Sequence, residues 1–204
     1  MKKQIVFATG NEGKMREIRA ILEDTGCEIL SMKEAGIVAD ILEDGTTFEE
    51  NALIKAKAVA EYTDAIVLAD DSGLEIDYLN KEPGIYSARY LGEDTSYRVK
   101  NQNLIDRLAG VPDEKRTARF VCVISYIDSN GNASVMRGEC EGFIGKEMKG
   151  DNGFGYDPIF MIGDRSFAEI SSEEKNTISH RANALKKLTE KLKGEKYDNN
   201  KAES

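Results

Sequence analysis

Two adjacent carboxylates, Asp70 and Asp71, follow an apolar run at 65–69 and precede Ser72 and Gly73. A short apolar run bounded by turn residues predicts a buried strand. Because ligands in open α/β sheets bind beyond the carboxyl ends of strands, this pattern predicts a strand that ends at a site. A simple turn is the alternative, since Asp, Ser and Gly form turns for local reasons. In a strand the two carboxylates would point to opposite faces.

A second candidate site lies between a predicted buried strand at 4–8 and an amphipathic helix with apolar residues at 15, 18 and 22. Free backbone amides and the helix dipole make such a loop an anion site. The spacing is not that of a Walker A loop. An ordinary helix cap at Asn11 explains that residue but not both glycines together with the lysine. The candidate residues are Thr9, Gly10, Asn11, Glu12, Gly13 and Lys14.

Glu43 and Asp44 lie in a loop before a helix that begins with a capping box at 47–50. The ordinary interpretation is that both are solvated acids. If the fold brings one of them opposite Asp71, the two carboxylates form a Mg²⁺ site, because Mg²⁺ is commonly held by one or two carboxylates and substrate phosphates.

Residues 152–158 place glycines on both sides of Phe154 and an acid, Asp157, before Pro158. The glycines could hold Phe154 where a purine ring stacks on it, a contact of about 1–3 kcal/mol per base. The alternative is a tight turn with Phe154 in the core. Asp157 is expected in extended backbone and must find hydrogen-bond donors if it is buried.

His180 is the only histidine, and with Arg181 it opens a predicted helix. A lone surface histidine is the ordinary interpretation. At a helix N-terminus, however, His180 and Arg181 could donate to a carbonyl oxygen of a base. Arg89 could clamp a phosphate or stack on a tyrosine at the surface, and the sequence leaves both open.

Composition restricts the class of protein. The chain of 204 residues is 40% hydrophobic and 32% charged, which is typical of a globular protein. No apolar run approaches the roughly 18 residues of a membrane span, and the first apolar segment is too short for a signal peptide, so a cytoplasmic location without a membrane is expected. A formal charge of −9 argues against nucleic acid as a partner. The cysteines at 27, 122 and 140 are expected to be reduced core residues.

The order of the predicted elements indicates an α/β fold. Helices are predicted after the first strand, from 47 to about 62, from the caps at 94–96 to Gly110, from 171 as a short helix, and from 179–181 to 192. A hairpin is predicted from 117–127 and 133–136. We expect an elongated mixed β-sheet flanked by helices. Residues 1–193 are expected to form one ordinary domain or two small lobes that share a core, followed by a polar, flexible tail at 194–204.

Six motifs in order resemble the inosine triphosphate pyrophosphatase family, which acts on non-standard purine nucleoside triphosphates. The resemblance extends from about residue 5 to 192. The sequence departs from the family at 148–150, where Met-Lys-Gly replaces Pro-Arg-Gly, and in its extra tail. The motifs are Thr9–Lys14, Thr47–Ala52, Ala69–Leu74, Pro83–Tyr90, Gly153–Pro158 and Ser179–Arg181.

The resemblance implies hydrolysis of dITP, ITP and XTP to the monophosphate and pyrophosphate, which cleanses the nucleotide pool. It also implies a homodimer and two lobes with an active-site cleft between them. Asp71 would be the catalytic base and, with Glu43, would hold Mg²⁺. Substrate would be bound by residues 9–14, with further contacts from Ser72, Phe154, Gly155, Tyr156, Asp157, Lys175, His180 and Arg181.

Two other classes of function stay open on the sequence alone. A phosphatase of another class would release orthophosphate instead of pyrophosphate. A nucleotide-binding regulator would bind ligand without turning it over.

Overall fold

The computed structural model describes the backbone of residues 3–202 and the side chains of residues 3–192. Short 3₁₀ helices connect several of the regular elements. The strands are β1 (Gln4–Phe7), β2 (Glu28–Ser31), β3 (Ile66–Ile76), β4 (Thr117–Ile127), β5 (Ala133–Ile144), β6 (Phe160–Ile162) and β7 (Arg165–Ser166). The helices are α1 (Glu12–Leu22), α2 (Phe48–Ala60), α3 (Tyr97–Arg107), α4 (Ser172–Ile178) and α5 (His180–Ala202).

The strands form a seven-stranded sheet in the order β2-β1-β3-β4-β5-β6-β7. Strand β1 is parallel to both β2 and β3, whereas β6 is antiparallel to both β5 and β7. The sheet is therefore mixed, and the predicted α/β class is confirmed.

The chain divides into two compact units. The first contains residues 1–71, 123–138 and 181–204, and the second contains 72–122 and 139–180. Each unit is described by itself below. The predicted cleft between two lobes stays a prediction.

The core of the first unit forms where helix α2 packs on strands β1 and β3. Val6, Val67 and Ala69 meet Ala56 and Val59 of α2 in one buried cluster. Alternation along β3 places Val67, Ala69 and residue 71 on one face and residues 66, 68 and 70 on the other. Consecutive residues of β3 therefore face different neighbouring helices.

The core of the second unit combines leucines of α3 with aromatic rings from the sheet. Leu104 and Leu108 are fully buried there. The Phe120 ring lies 4.5 Å from that of Phe160 and 5.7 Å from that of Phe167, measured between centroids. This cluster supports the segments of the second unit that carry the candidate base-binding residues.

The prediction that the central strand ends at the two aspartates is wrong, and so is the alternative of a turn. Strand β3 continues through Asp70 and Asp71 to Ile76. The parallel neighbour β1 ends before this point. Its last residue, Phe7, pairs with Leu68 of β3, two residues before Asp70. The aspartates thus lie beyond the carboxyl end of β1 while β3 continues beside β4.

Other expectations have mixed outcomes. Helix α5 continues to Ala202, beyond the predicted end at 192. The flexibility expected for 194–204 stays a prediction, and residues 203–204 lie outside the described part.

Cys122 and Cys140 are free and buried, as expected, while Cys27 is half-buried. Among the helices in the described part of the chain, none is long and apolar enough to cross a membrane.

Two glycines with left-handed backbones provide a matched test of packing in the second unit. An added Cβ at Gly150 (φ +77°) would lie 2.2 Å from the Ala168 carbonyl oxygen, whereas one at Gly131 (φ +83°) would meet nothing within 4 Å. In both variants the alanine must adopt a left-handed backbone, which destabilises the folded state by about 1–2 kcal/mol. We expect Gly150→Ala to lower the free energy of unfolding by at least about 1–3 kcal/mol more than Gly131→Ala. Urea titration measures both, and equal losses would contradict this packing.

Candidate active site

Asp70 belongs to a group of four charged side chains that we call the Asp70 cluster, in which Asp70 and Arg181 are buried and Lys14 and Glu17 are half-buried. The Lys14 ammonium lies 3.0 Å from Asp70 Oδ2 and 3.1 Å from Oδ1. The Arg181 guanidinium lies 3.2 Å from Asp70 Oδ2 and also pairs with Glu17. Lys14 and Glu17 come from α1 and Arg181 from α5, so two helices meet the side of β3 to which Asp70 points. Two acids and two bases balance one another here.

The charges in the Asp70 cluster hold the Asp70 carboxylate in its ionised form. Burial alone would raise the pKa of Asp70, but the attraction of Lys14, Arg181 and then Lys55 outweighs burial and lowers this pKa well below its usual range. At neutral pH Asp70 is thus a charged partner for the Lys14 ammonium near the start of α1.

A second group, the Asp71 cluster, contains Glu43, Lys55 and Asp71. The Lys55 ammonium of α2 lies 2.8 Å from Glu43 Oε2 and 3.4 Å from Asp71 Oδ1. The other oxygen, Asp71 Oδ2, is buried and has no hydrogen-bond partner among the described residues. With both acids ionised, the cluster carries one more negative than positive charge.

The environment of Asp71 differs from that of its neighbour. Burial raises the pKa of Asp71, with smaller contributions from the Glu43 and Asp70 charges, and these outweigh the attraction of Lys55 and Lys14. Burial opposes the charge on Lys55 as well, but the nearby Asp71, Asp70 and Glu43 carboxylates raise its pKa overall. A carboxylate with a raised pKa is suited to accept a proton near neutral pH.

The Asp71 cluster fits a divalent cation. No group of three or more His, Cys, Asp and Glu side chains suited to a metal occurs among the described residues. Mg²⁺ does not require one, because it commonly uses one or two carboxylates and completes its shell with water and phosphate. Glu43 and Asp71 provide two carboxylates around a single ammonium, and Asp71 Oδ2 lacks a donor among the described side chains.

The loop after β1 leads into the N-terminus of α1 as predicted. Asn11 caps the helix by accepting from the Lys14 N–H, and Thr9 Oγ1 accepts from the Asn11 N–H. The amides of Glu12 and Gly13, at the first two helical positions, have no acceptor within the helix. Gly10 has space around it, since an added Cβ would meet nothing within 4 Å. The loop thus ends in free backbone amides, and the Lys14 ammonium that follows them is paired with Asp70.

In the second unit, Asp157 organises the loop 153–157. Asp157 Oδ2 accepts from the Lys175 ammonium at 2.6 Å and from the Phe154 N–H at 2.8 Å. Both charged side chains are almost fully buried. The predicted need of a buried Asp157 for donors is confirmed, although this residue begins a short 3₁₀ helix, Asp157–Ile159, instead of lying in extended backbone.

Phe154 is not part of the core, so the interpretation as a buried turn residue is wrong. Its side chain is partly exposed, and the Lys175 ammonium lies 4.9 Å from the centre of its ring. Gly153 is required beside it, because its φ is +74° and an added Cβ would lie 2.0 Å from Asp157 Oδ2. The loop therefore holds the partly exposed Phe154 ring beside the buried ion pair of Lys175 and Asp157.

Helix α3 and Tyr156 fasten the segments that flank this loop. Asn101 Nδ2 donates to the Gly155 carbonyl at 3.0 Å, and Tyr156 Oη donates to the Ser87 carbonyl at 2.7 Å. The buried Lys100 ammonium donates to the Ala88 carbonyl at 2.6 Å. The first two bonds attach residues 155 and 156, directly after Phe154, to α3 and to the segment at 87, and the third attaches the neighbouring residue 88 to α3.

His180 and Arg181 are adjacent but belong to different units. His180 is buried and stacks on Phe120 with ring centroids 4.7 Å apart, so the interpretation as a surface histidine is wrong. Arg181 belongs to the Asp70 cluster.

The Arg89 guanidinium lies over the Tyr86 ring, 4.9 Å from its centre, so the alternative in which Arg89 stacks on a tyrosine is the one observed. Ser72 is half-buried in β3 within the second unit.

Sequence reasoning missed Lys55, although a signal for it exists. The apolar face of α2 includes Ala52, Ala56 and Val59, and the polar residues Asn51 and Lys55 occupy the same face and are buried. A lysine and an asparagine at core spacing on a helix indicate buried polar partners. Lys100 and Asn101 of α3 show the same pattern, because they are buried on the face that carries Leu104 and Ile105. Glu17 gave no such signal, because its partner Arg181 lies 164 residues away.

The comparisons with known proteins agree with one another. Residues 5–191 match the model of the Ham1 family. A dITP/XTP pyrophosphatase of Clostridium perfringens is 47% identical over 200 residues, which cover 94% of this chain and 98% of that protein. The solved structure of the Staphylococcus aureus Ham1 protein is 42% identical with a TM-score of 0.84, covering 95% of this chain and all of that one. A Ham1 protein from Coxiella burnetii is 40% identical with a TM-score of 0.85 at the same coverage.

The buried pair of Asp157 and Lys175 predicts a large effect of removing one partner. Lys175→Met leaves the Asp157 carboxylate buried without its ammonium, and we expect a loss of about 3–5 kcal/mol in the free energy of unfolding. Combining it with Asp157→Asn should recover much of this loss. Lys149→Met, which removes an exposed partner of Glu147, is the control and should cost no more than about 1 kcal/mol. Similar losses in the two single variants would contradict the assignment.

The lowered pKa of Asp70 predicts a dependence of stability on acid. Because the folded pKa lies below the unfolded value of about 3.9, the unfolded state binds the proton more readily. The contribution of Asp70 is therefore present above about pH 4 and is lost as pH falls toward the folded pKa. Between pH 5 and 3, the free energy of unfolding should fall less steeply in Asp70→Asn than in the parent chain. Parallel curves would contradict the charge balance of the Asp70 cluster.

Proposed function

This chain belongs to the Ham1 family, and on that premise we propose that it hydrolyses non-standard purine nucleoside triphosphates, dITP, ITP and XTP, to the monophosphate and pyrophosphate. The observation that carries the proposal is the Asp71 cluster, in which two carboxylates share one ammonium beside a strand-to-helix anion site. A relative 47% identical over nearly the whole chain is a dITP/XTP pyrophosphatase, which supports the same activity.

We assign the general base to Asp71. Its Oδ2 is buried and has no hydrogen-bond partner among the described residues, so this oxygen can accept a proton from water. The water oxygen then bonds to phosphorus as the bond between the α and β phosphates breaks, and pyrophosphate leaves with the electron pair. Asp71 returns the proton to solvent. Such a reaction depends mostly on positioning and on neutralising charge.

Glu43 and Asp71 would hold Mg²⁺. When bound, the ion supplies positive charge against the phosphate oxygens and orients them. The protein's own contribution to the phosphates is the Lys14 ammonium and the free amides at the start of α1. In a chain with a formal charge of −9, these few donors are placed where the anion binds.

The base would be bound by residues of the second unit. Phe154 offers a partly open ring for stacking, fixed by Asp157 and Lys175. The 6-oxo group of hypoxanthine or xanthine would accept from an amide of the loop 153–157 or from His180. Adenine carries an amino group at that position and would leave the donors unpaired, which is costly in a buried site.

Arg181 is assigned a different task from the one expected from sequence. Its guanidinium already pairs with Asp70 and Glu17. We propose that Arg181 holds Asp70, and through Asp70 the Lys14 ammonium, instead of reading the base.

The family resemblance extends the proposal to assembly and location. It implies a homodimer in the cytoplasm, where the nucleotide pool is found. Analytical ultracentrifugation of the purified chain tests the dimer, since a monomer at micromolar concentration would contradict it.

The activity predicts a specific substrate profile. With Mg²⁺, the purified chain should release pyrophosphate from inosine and xanthosine triphosphates and far less from adenosine and guanosine triphosphates, and a chelator should stop the release. Asp71→Asn should remain folded and lose at least about 100-fold in kcat, the lower range for a general base. Arg165→Gln, which removes an exposed pair with Glu174, is the control and should keep full activity.

Three results would overturn the proposal. Release of orthophosphate would indicate a phosphatase of another class. Nucleotide binding without turnover would indicate a regulator. Equal activity of the Asp71→Asn variant would exclude this residue as the base.

A further inference from the structure

The segment that carries Glu43 is fastened to the N-terminus of α2 by hydrogen bonds. The Gly45 N–H donates to Asn51 Oδ1 at 2.9 Å. The N–H and the hydroxyl of Thr46 both donate to Glu50 Oε2, at 2.7 and 2.8 Å. Glu43 lies two residues before the first of these bonds.

Close packing reinforces the attachment at Gly45. An added Cβ there would lie 2.6 Å from Asn51 Oδ1, 2.8 Å from Glu50 Cβ and 3.0 Å from the Asn51 backbone nitrogen. The φ of Gly45 is outside the left-handed region. Glycine is therefore required here for the close approach to α2 and not for its backbone freedom.

Burying Asn51 lowers the stability of the fold, which argues that its bond to Gly45 has a functional role. The residue is completely buried, and its Nδ2 has no partner among the described residues. A buried donor without a partner destabilises the fold. An apolar residue at this place on the buried face of α2 would avoid that cost but could not hold the Gly45 N–H.

One face of α2 thus contacts the segment 43–45 at two points, the Glu43 side chain and the Gly45 backbone. Asn51 and Lys55 are four residues apart, so they project from the same side of the helix. Lys55 contacts the Glu43 carboxylate, and Asn51 holds the backbone two residues further on. The direction of the carboxylate is fixed by two independent attachments.

We propose that Asn51 and Gly45 are positioning residues that set the Glu43 carboxylate for a divalent cation shared with Asp71. The inference rests on the proposed function, because it takes the metal role of Glu43 from there. Partners that orient a metal ligand typically contribute about 10–100-fold to metal affinity.

The test measures binding of Mn²⁺, which accepts the same oxygen ligands as Mg²⁺ and is detected by electron paramagnetic resonance. The full chain is titrated in the presence of an inosine triphosphate analogue with a methylene bridge between the α and β phosphates. We expect Asn51→Ala and Gly45→Ala to weaken Mn²⁺ binding by about 10–100-fold, and Glu43→Gln to weaken it at least as much. Val59→Ala, which removes a buried apolar contact from the same helix, should change binding by less than about twofold, because it leaves the ligands and their supports in place.

The outcomes separate this inference from the proposed function. If Glu43→Gln leaves Mn²⁺ binding unchanged, the metal role of Glu43 is wrong and the inference fails with it. If Glu43→Gln weakens binding but Gly45→Ala and Asn51→Ala do not, only the inference fails. Equal weakening by Val59→Ala would also overturn it, by indicating general destabilisation. Should Asn51→Ala not fold, Gly45→Ala decides, since it keeps Asn51 and changes only the approach of the segment.

Discussion

Two adjacent carboxylates, Asp70 and Asp71, are buried in one strand of the first unit, and each of them requires a cation beside it. A buried charge is tolerated only with a partner, and neighbouring residues of a strand point to opposite faces. The cations for Asp70 and Asp71 must therefore come from different helices. Lys14 and Arg181 meet Asp70 from α1 and α5, and Lys55 meets Asp71 from α2. The placement of three helices is tied to two side chains in β3.

The two aspartates have the same chemistry and acquire different properties from their surroundings. Asp70 lies between two cations that keep its pKa low, whereas Asp71 shares one ammonium with Glu43 and has a raised pKa. A separation of this kind divides the tasks of a charged anchor and a proton acceptor. It follows from which face each residue occupies, because the face determines how many cations reach it.

The sequence predicted those features whose causes are local. The apolar spacing of α1 and the Asn11 cap appear where periodicity and capping chemistry placed them. The end of β3 was misplaced, because an apolar run cannot reveal that its neighbour β1 stops at Phe7. The burial of His180 depends on Phe120, sixty positions earlier, and no local pattern contains that contact.

The same reasoning explains which parts of the candidate site could be found in advance. Acids, glycines and basic residues within motifs were identified by type and by the family resemblance. The supporting residues Lys55 and Asn51 were not, because they interrupt the apolar face of α2, and apolar periodicity identifies such a face only by its apolar members. Polar residues at core positions of a helix therefore identify the supports of a site before its fold is known.

The pairing of Arg181 with Asp70 also has a consequence for the order in which the protein matures. Asp70 precedes its guanidinium partner by 111 residues. Chains are synthesised and begin to fold from the N-terminus. A nascent chain that has already formed β1, β3 and α1 would still lack one of the two cations that neutralise Asp70. Complete charge balance around this aspartate is therefore reached only after the last helix has been synthesised.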